Sequence, residues 1–249
     1  LMSVPSWSFK EATSDVLLDP QAGIMVQGIT GREARAMVSD MLDYGSYIVG
    51  GVTPGKEGQD VNGLPVYDTV ARLCKQHRPT ISVISVPAPA VLDASLEAFQ
   101  HGIELCLIMT ERVPRLDASR IMVAARVAGC RVIGPNSLGL IRPHLAKLGT
   151  IGGRVDNVRK SYMPGSTAVL SRSGGMATEI ASYLTSRGIG QSIAVGVGGD
   201  PIVGATFTDL MDLLEDDKGT NSVVIYGEPG GTAEEELAQR LIERPSRLR

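Results

Sequence analysis

An α/β protein built from two successive parallel-sheet units is the fold class this sequence predicts, on three observations. Short runs rich in β-branched residues alternate along the chain with longer helical stretches. The strand-like runs are continuously apolar rather than alternating, as expected when helices cover both faces of a sheet. The first strand also enters the first helix through a glycine-punctuated turn, Gly28-Ile29-Thr30-Gly31.

Taken in order, the first unit opens with the strand GIMVQG (23–28) and the helix REARAMVSDMLDYG (32–45). Strand YIVGGV (47–52), helix YDTVARLCKQH (67–77), strand ISVISV (81–86) and helix AVLDASLEAFQHG (90–102) follow. Strand LCLIMTE (105–111), helix LDASRIMVAARVAG (116–129) and strand RVIGPN (131–136) complete it. Five strands by Asn136, each joined to the next through a helix, describe a Rossmann-like domain. The stretch from Ser137 to about Pro164 is rich in glycine and basic residues and is expected to be loose. A second series then runs through strands STAVLS (166–171), SIAVGV (192–197) and SVVIYGE (222–228), each with its helix. The expected organisation is an N-terminal extension over 1–22, a first domain over 23–145, a linker over 146–164 and a second domain over 165–249. Three strands make a thin sheet, so the second domain is expected to be cut short.

Composition narrows the function. The chain has 249 residues, 43% hydrophobic and 20% charged, with a formal net charge of −3. That balance argues against nucleic acid or an anionic membrane as the main partner. The three cysteines, Cys74, Cys106 and Cys130, form no CxxC pair and fit buried thiols in a reducing compartment. No run approaches the ~18 apolar residues of a membrane helix. The N-terminus lacks the basic start and apolar centre of a secretory signal, so a cytoplasmic location is expected. No metal-ligand cluster is expected either.

The turn Gly28-x-x-Gly31-x-x-Ala34 suits phosphate. Small residues let the backbone approach the anion, and the N–H groups at the helix start face it. It departs from the dinucleotide fingerprint G-x-G-x-x-G, and no acid follows about twenty residues later to hold a ribose hydroxyl. In that place the second strand ends in GGVTPGK, offering Lys56 as a cation. The third and fourth strands end in Val86-Pro87 and in Met109-Thr110-Glu111. Ligands of open α/β sheets bind at this edge.

The motifs GITG, GGVTPGK, VPAP, MTE and IGPN, followed by SRSGG, GVGGDPIVGATFTD and GEPGGTAEEE, resemble in order and spacing the succinyl-CoA synthetase α-subunit family, from about Gly23 to Ile242. KLGTIGGRVDN and SRSGGM are closer to the corresponding regions of ATP-citrate lyase and citryl-CoA synthetase. The resemblance implies a Rossmann-like CoA-binding domain followed by a partial flavodoxin-like domain, in an acid–CoA ligase that forms a nucleoside diphosphate. It places coenzyme A against Thr30, Gly31, Arg32, Glu33, Lys56, Val86, Pro87, Met109, Thr110, Glu111, Pro135 and Asn136. Arg32-Glu33 stands where the family usually has Ser-Gln or Thr-Gln.

In this family a phosphohistidine carries the phosphoryl group between nucleotide and acid. The resemblance implies two phosphate-holding helix starts: Ser171, Ser173, Gly174 and Gly175 in the first, and Gly230, Gly231 and Thr232 in the second. Glu228 would orient the imidazole. Thr232 and Glu235 also have the T-x-x-E spacing of a capping box. ATP or GTP with magnesium would sit on a β-type partner subunit, and a small di- or tricarboxylic acid such as succinate or citrate would be the substrate. The family's histidine lies in a GHAG loop beyond a further strand. His77, His101 and His144 lack that context, so the chain is expected to be a fragment or a shortened relative. The family's cysteine after GPN and tyrosine in SGTLTYE correspond to Ser137 and Thr178. A non-catalytic CoA-binding or regulatory module is the alternative function. An NAD-dependent oxidoreductase is a third possibility, disfavoured by Lys56 and the missing ribose acid.

Overall fold

The computed structural model describes Leu17, Asp19 and residues 21–249, so most of the expected N-terminal extension lies outside the described residues. The first sheet comprises β1 (Ile24–Gln27), β2 (Ile48–Val52), β3 (Asp60–Val61), β4 (Leu64–Tyr67), β5 (Ile81–Ile84), β6 (Leu105–Ile108) and β7 (Arg131–Ile133). Their order is β3-β4-β2-β1-β5-β6-β7, parallel throughout except for the β3–β4 pair. Helices α1 (Arg32–Tyr44), α2 (Val70–Gln76), α3 (Val91–Gln100) and α4 (Arg115–Ala128) connect them.

The apolar runs are explained by burial on both faces. Ile24 and Val26 enter one core cluster and Met25 another; Leu105 and Leu107 divide from Cys106 and Ile108 in the same way. Helix α1 buries Ala34, Met37, Val38, Met41 and Tyr44, spaced three or four residues apart on one face. It stops at Gly45, whose φ of 109° lets Gly45 and Ser46 return their N–H groups to Leu42 and Met41.

The second sheet is larger than expected. It contains β8 (Gly139–Arg142), β9 (Ala146–Gly149), β10 (Pro164–Ser171), β11 (Gln191–Gly196) and β12 (Ser222–Tyr226), in the order β12-β10-β11-β8-β9. Helices α5 (Val155–Ser161), α6 (Gly174–Ser186), α7 (Phe207–Asp216) and α8 (Ala233–Glu243) accompany it. The stretch expected to be loose supplies an antiparallel hairpin, β8–β9, and a helix, and the boundary expected between 145 and 146 falls in the hairpin turn. The glycines and basic residues hid its pattern. Lys147 is fully buried, with Nζ donating to the Gly153 carbonyl at 2.6 Å, while Leu140, Ile141 and Leu148 fill the core. Burial lowers the Lys147 pKa.

The two sheets share one apolar core, in which Ile24, Val26, Leu105 and Leu107 join Leu140, Leu148, Leu170 and Val195. At about 1.5–3 kcal/mol per fully buried side chain, this common core is what fixes the sheets against each other. Cys106 and Cys130 are buried free thiols, Cys74 is half-buried, and burial raises the Cys106 pKa.

Candidate functional site

Strand order reverses between β1 and β5, and that switch point is where an open α/β sheet leaves a crevice. Gly28 makes the turn possible. Its φ is +84°, and a Cβ there would overlap the Ser85 carbonyl. The Gly28 N–H is held by Val52 O at 2.8 Å, and Gly31 donates back to Gly28 O at 3.0 Å. Gly31 is the N-cap of α1 and, lacking a side chain, offers no cap hydrogen bond. The first-turn N–H groups have no partner within the helix and face outward with the positive end of its dipole. Thr30 ties this turn to the next loop, its hydroxyl lying 3.2 Å from Thr53 Oγ1.

A cavity of about 600 Å³ opens at this helix start. It brings together eight of the anticipated residues: Gly31, Arg32, Glu33, Val86, Pro87, Met109, Thr110 and Glu111. It adds Ala34, Met37, Ser85, Leu138 and Thr150, of which Leu138 and Thr150 flank the unanticipated hairpin. Thr110 Oγ1 donates to Val86 O at 2.6 Å, joining the ends of β5 and β6. Asn136, at φ +58° after the cis Gly134–Pro135 bond, donates its N–H to Thr110 O at 2.9 Å and so supports the same wall from outside the lining. Lys56 is exposed on the adjacent loop, also outside the lining. Its N–H and that of Glu57 each donate to Asp68 Oδ1 at 3.0 Å, which fixes the backbone that carries it.

The second sheet reaches this cavity through the start of α6, where Gly174 packs on Leu138. Ser171 is paired in register with Gly196 of β11 and Tyr226 of β12, so the Ser171 and Glu228 loops leave neighbouring strands at one edge. Ser171 Oγ donates to Ser173 O at 2.6 Å, and Ser173 caps α6 by accepting from Met176 N at 3.4 Å. Leu138 links the two halves. It lines the cavity and packs against Gly174, where any Cβ would collide with it. Glu228, Gly230 and Gly231 line a shallow depression of about 390 Å³. Thr232 occupies the N-cap of α8, but the expected capping box with Glu235 does not form. At ψ 11° its backbone is not extended, and its hydroxyl donates instead to Glu236 Oε1 at 2.6 Å. A capping box does occur at Thr206–Asp209 on α7.

One residue that the sequence did not single out connects the sheets. Asp200 is 8% exposed and accepts from the Arg112 and Val113 N–H groups at 3.4 and 3.3 Å. Its own carbonyl accepts from Arg172 Nη2 at 3.0 Å. The surrounding loop runs along β7 through Gly134 N to Val197 O, Gly204 N to Gly134 O and Ala205 N to Val132 O, at 2.7–3.0 Å. The histidines stand apart from both loops. His77 Nε2 is 3.0 Å from Tyr67 Oη, His101 Nδ1 is 2.8 Å from Glu97 O, and His144 is exposed in the β8–β9 turn. Ser137, in the expected cysteine position, is buried with its hydroxyl bonded to Gly196 O. Among the described residues there is no group of three or more potential metal ligands, and no helix is long and apolar enough to cross a membrane.

Comparison with known proteins matches residues 19–112 to a CoA binding domain and residues 164–240 to a succinyl-CoA ligase like flavodoxin domain. The succinate–CoA ligase [ADP-forming] subunit alpha of Methanothermobacter thermautotrophicus is 43% identical over 90% of this chain and 74% of its own length. Subunit alpha 1 of Archaeoglobus fulgidus is 42% identical over 90% of this chain and 75% of its own. In fold, the chain is similar to ATP citrate lyase from Methanothrix soehngenii in complex with citrate and coenzyme A, with a TM-score of 0.84 at 24% identity. That match covers 92% of this chain and 39% of the lyase chain. A dinucleotide-forming acetyl-coenzyme A synthetase from Ca. Korarchaeum cryptofilum gives a TM-score of 0.73 at 23% identity, covering 92% of this chain and 49% of that one.

Proposed function

We propose, since this chain belongs to the α-subunit family of succinate–CoA ligases, that it is the CoA-binding part of a nucleotide-dependent acid–thiol ligase. The observation that carries this reading is the α1 start without a side-chain cap, opening on a cavity at the switch point of the first sheet. Small residues and outward N–H groups suit a phosphate-bearing ligand there. In this reading Gly31, Arg32 and Glu33 meet a phosphate of coenzyme A, and Thr30 locks the turn to the β2 loop. Lys56 supplies a cation to the 3′-phosphate from that loop. Val86, Pro87, Met109, Thr110 and Glu111, backed by Pro135 and Asn136, form the wall along which the ligand lies.

The second sheet then holds the phosphoryl group. Ser171, Ser173, Gly174 and Gly175 at the start of α6, and Gly230, Gly231 and Thr232 at the start of α8, frame helix starts whose N–H groups face its negative charge. Glu228 orients the imidazole of a phosphohistidine that is not one of the three histidines of this chain. ATP or GTP with magnesium belongs to a β-type partner, and succinate or citrate is the acid. Activation as an acyl phosphate lets the CoA thiolate attack the acyl carbon while phosphate leaves. A non-catalytic module with the same CoA site is the second reading, favoured by the position of the three histidines away from both loops.

Titration calorimetry with CoA and NAD tests the first site: CoA should bind and NAD should not, and the reverse result rejects the assignment. For the ligase step, the complete native protein and its partner are incubated with ATP labelled in the γ-phosphate. Acid-labile, base-stable label on the α-type chain supports the ligase, whereas CoA binding without label selects the module.

A further inference from the structure

We propose that Asp200 is a positioning residue that holds the cavity wall formed by the turn after β6 and couples it to the serine–glycine loop of the second sheet. This inference rests on reading the cavity as the CoA site. A carboxylate only 8% exposed needs donors, because burying it without hydrogen bonds is costly. The donors here are main-chain N–H groups of Arg112 and Val113, 88 and 87 residues away in the chain. The Arg112 side chain is turned to solvent at 87% exposure, so the contact fixes a backbone shape and is no side-chain ion pair.

That shape needs support. Arg112 has φ +57°, a left-handed conformation that a non-glycine residue adopts only when its surroundings hold it there. The turn begins with Thr110 and Glu111, both lining the cavity, so relaxation at Arg112 displaces the wall itself. On its other side, the Asp200 carbonyl receives Arg172, which lies between Ser171 and Ser173. One residue of the second unit therefore grips the ligand wall of the first while anchoring the second unit's own loop. Each carboxylate oxygen takes one of the two N–H groups, so a single side chain serves both.

The test compares the full chain with Asp200→Asn and Asp200→Ala by calorimetric titration with CoA, thermal unfolding and amide hydrogen exchange. Asparagine keeps one acceptor, so Asp200→Asn should weaken CoA about threefold and Asp200→Ala about tenfold. Asp200→Ala should lose exchange protection at both Arg112 and Val113, and Asp200→Asn at one of the two. Leu73→Ala, on α2 and outside the cavity lining, controls for general destabilisation. It should lower the melting midpoint and leave CoA affinity at the parent value. Unchanged CoA affinity in Asp200→Ala, or an equal loss in Leu73→Ala, overturns the positioning role. A parent chain that binds no CoA overturns the reading of the cavity, and this inference with it.

Discussion

Replacing the two glycines of the first turn by alanine should separate stability from ligand binding. At Gly28, φ is +84°, and an added Cβ would overlap the Ser85 carbonyl, with Ser85 C at 2.9 Å and Val86 Cγ1 at 3.0 Å. The left-handed backbone costs roughly 1–2 kcal/mol for alanine, and forced overlap in a packed site costs about 1–3 kcal/mol more. A total of about 2–5 kcal/mol corresponds to a fall of roughly 5–15 °C in melting midpoint for a chain of this size. Gly31 differs. Its φ of −62° and ψ of 147° suit any residue, and an added Cβ would meet only Gly28 O at 3.3 Å and Ala34 Cβ at 3.8 Å. Gly31→Ala should therefore cost under about 1 kcal/mol. Its methyl group, however, stands at the cavity wall where a phosphate must approach the N–H groups, so CoA should bind about tenfold more weakly. Differential scanning calorimetry and CoA titration read the two effects. Unaltered stability in Gly28→Ala refutes the steric reasoning, and undiminished CoA affinity in Gly31→Ala refutes the approach of phosphate to this turn.

Alkaline pH should expose the burial of Tyr162, which is 1% exposed, with its pKa pushed up from 10.0 to about 12 mainly by desolvation. The folded chain keeps the phenol neutral, so its contribution is intact below pH 10 and lost as pH rises from 10 towards 12, on the order of 3 kcal/mol in all. Lys147, whose pKa is lowered by burial, works in the opposite sense up to its unfolded value of 10.5. Comparison with Tyr162→Phe therefore isolates the tyrosine. The variant should lose about 1 kcal/mol at neutral pH with the hydroxyl bond to Thr178, and show a shallower fall in melting midpoint above pH 10; parallel curves for parent and variant reject the account. Lys56→Ala should weaken CoA several-fold more than dephospho-CoA, and equal losses in calorimetry exclude a contact with the 3′-phosphate.

The first sheet was legible because doubly covered strands are apolar at every position, as in Leu105 to Ile108. The helix-opening turn was legible because Gly28, at φ +84°, meets a backbone requirement that few other residues satisfy. Two hairpins escaped. In β3–β4 the Asn62-Gly63 pair, at φ 55° and 81°, is a recognisable hairpin turn overlooked between proline- and glycine-rich neighbours. In β8–β9 a buried lysine broke the apolar pattern, and with it went Leu138 and Thr150 at the cavity. Asp200 was invisible for a different reason. It contacts backbone groups of Arg112 and Val113, which leave no side-chain signature in the sequence.

Because the β8–β9 hairpin leaves the end of β7 only to complete the edge of the other sheet, the chain's natural seam lies at about Ser137, ahead of the glycine-rich stretch. An engineer exchanging halves between homologous proteins would need to carry residues 139–149 with the downstream partner. A junction at 145 would sever the turn between two paired strands and leave each chimera with a mismatched border.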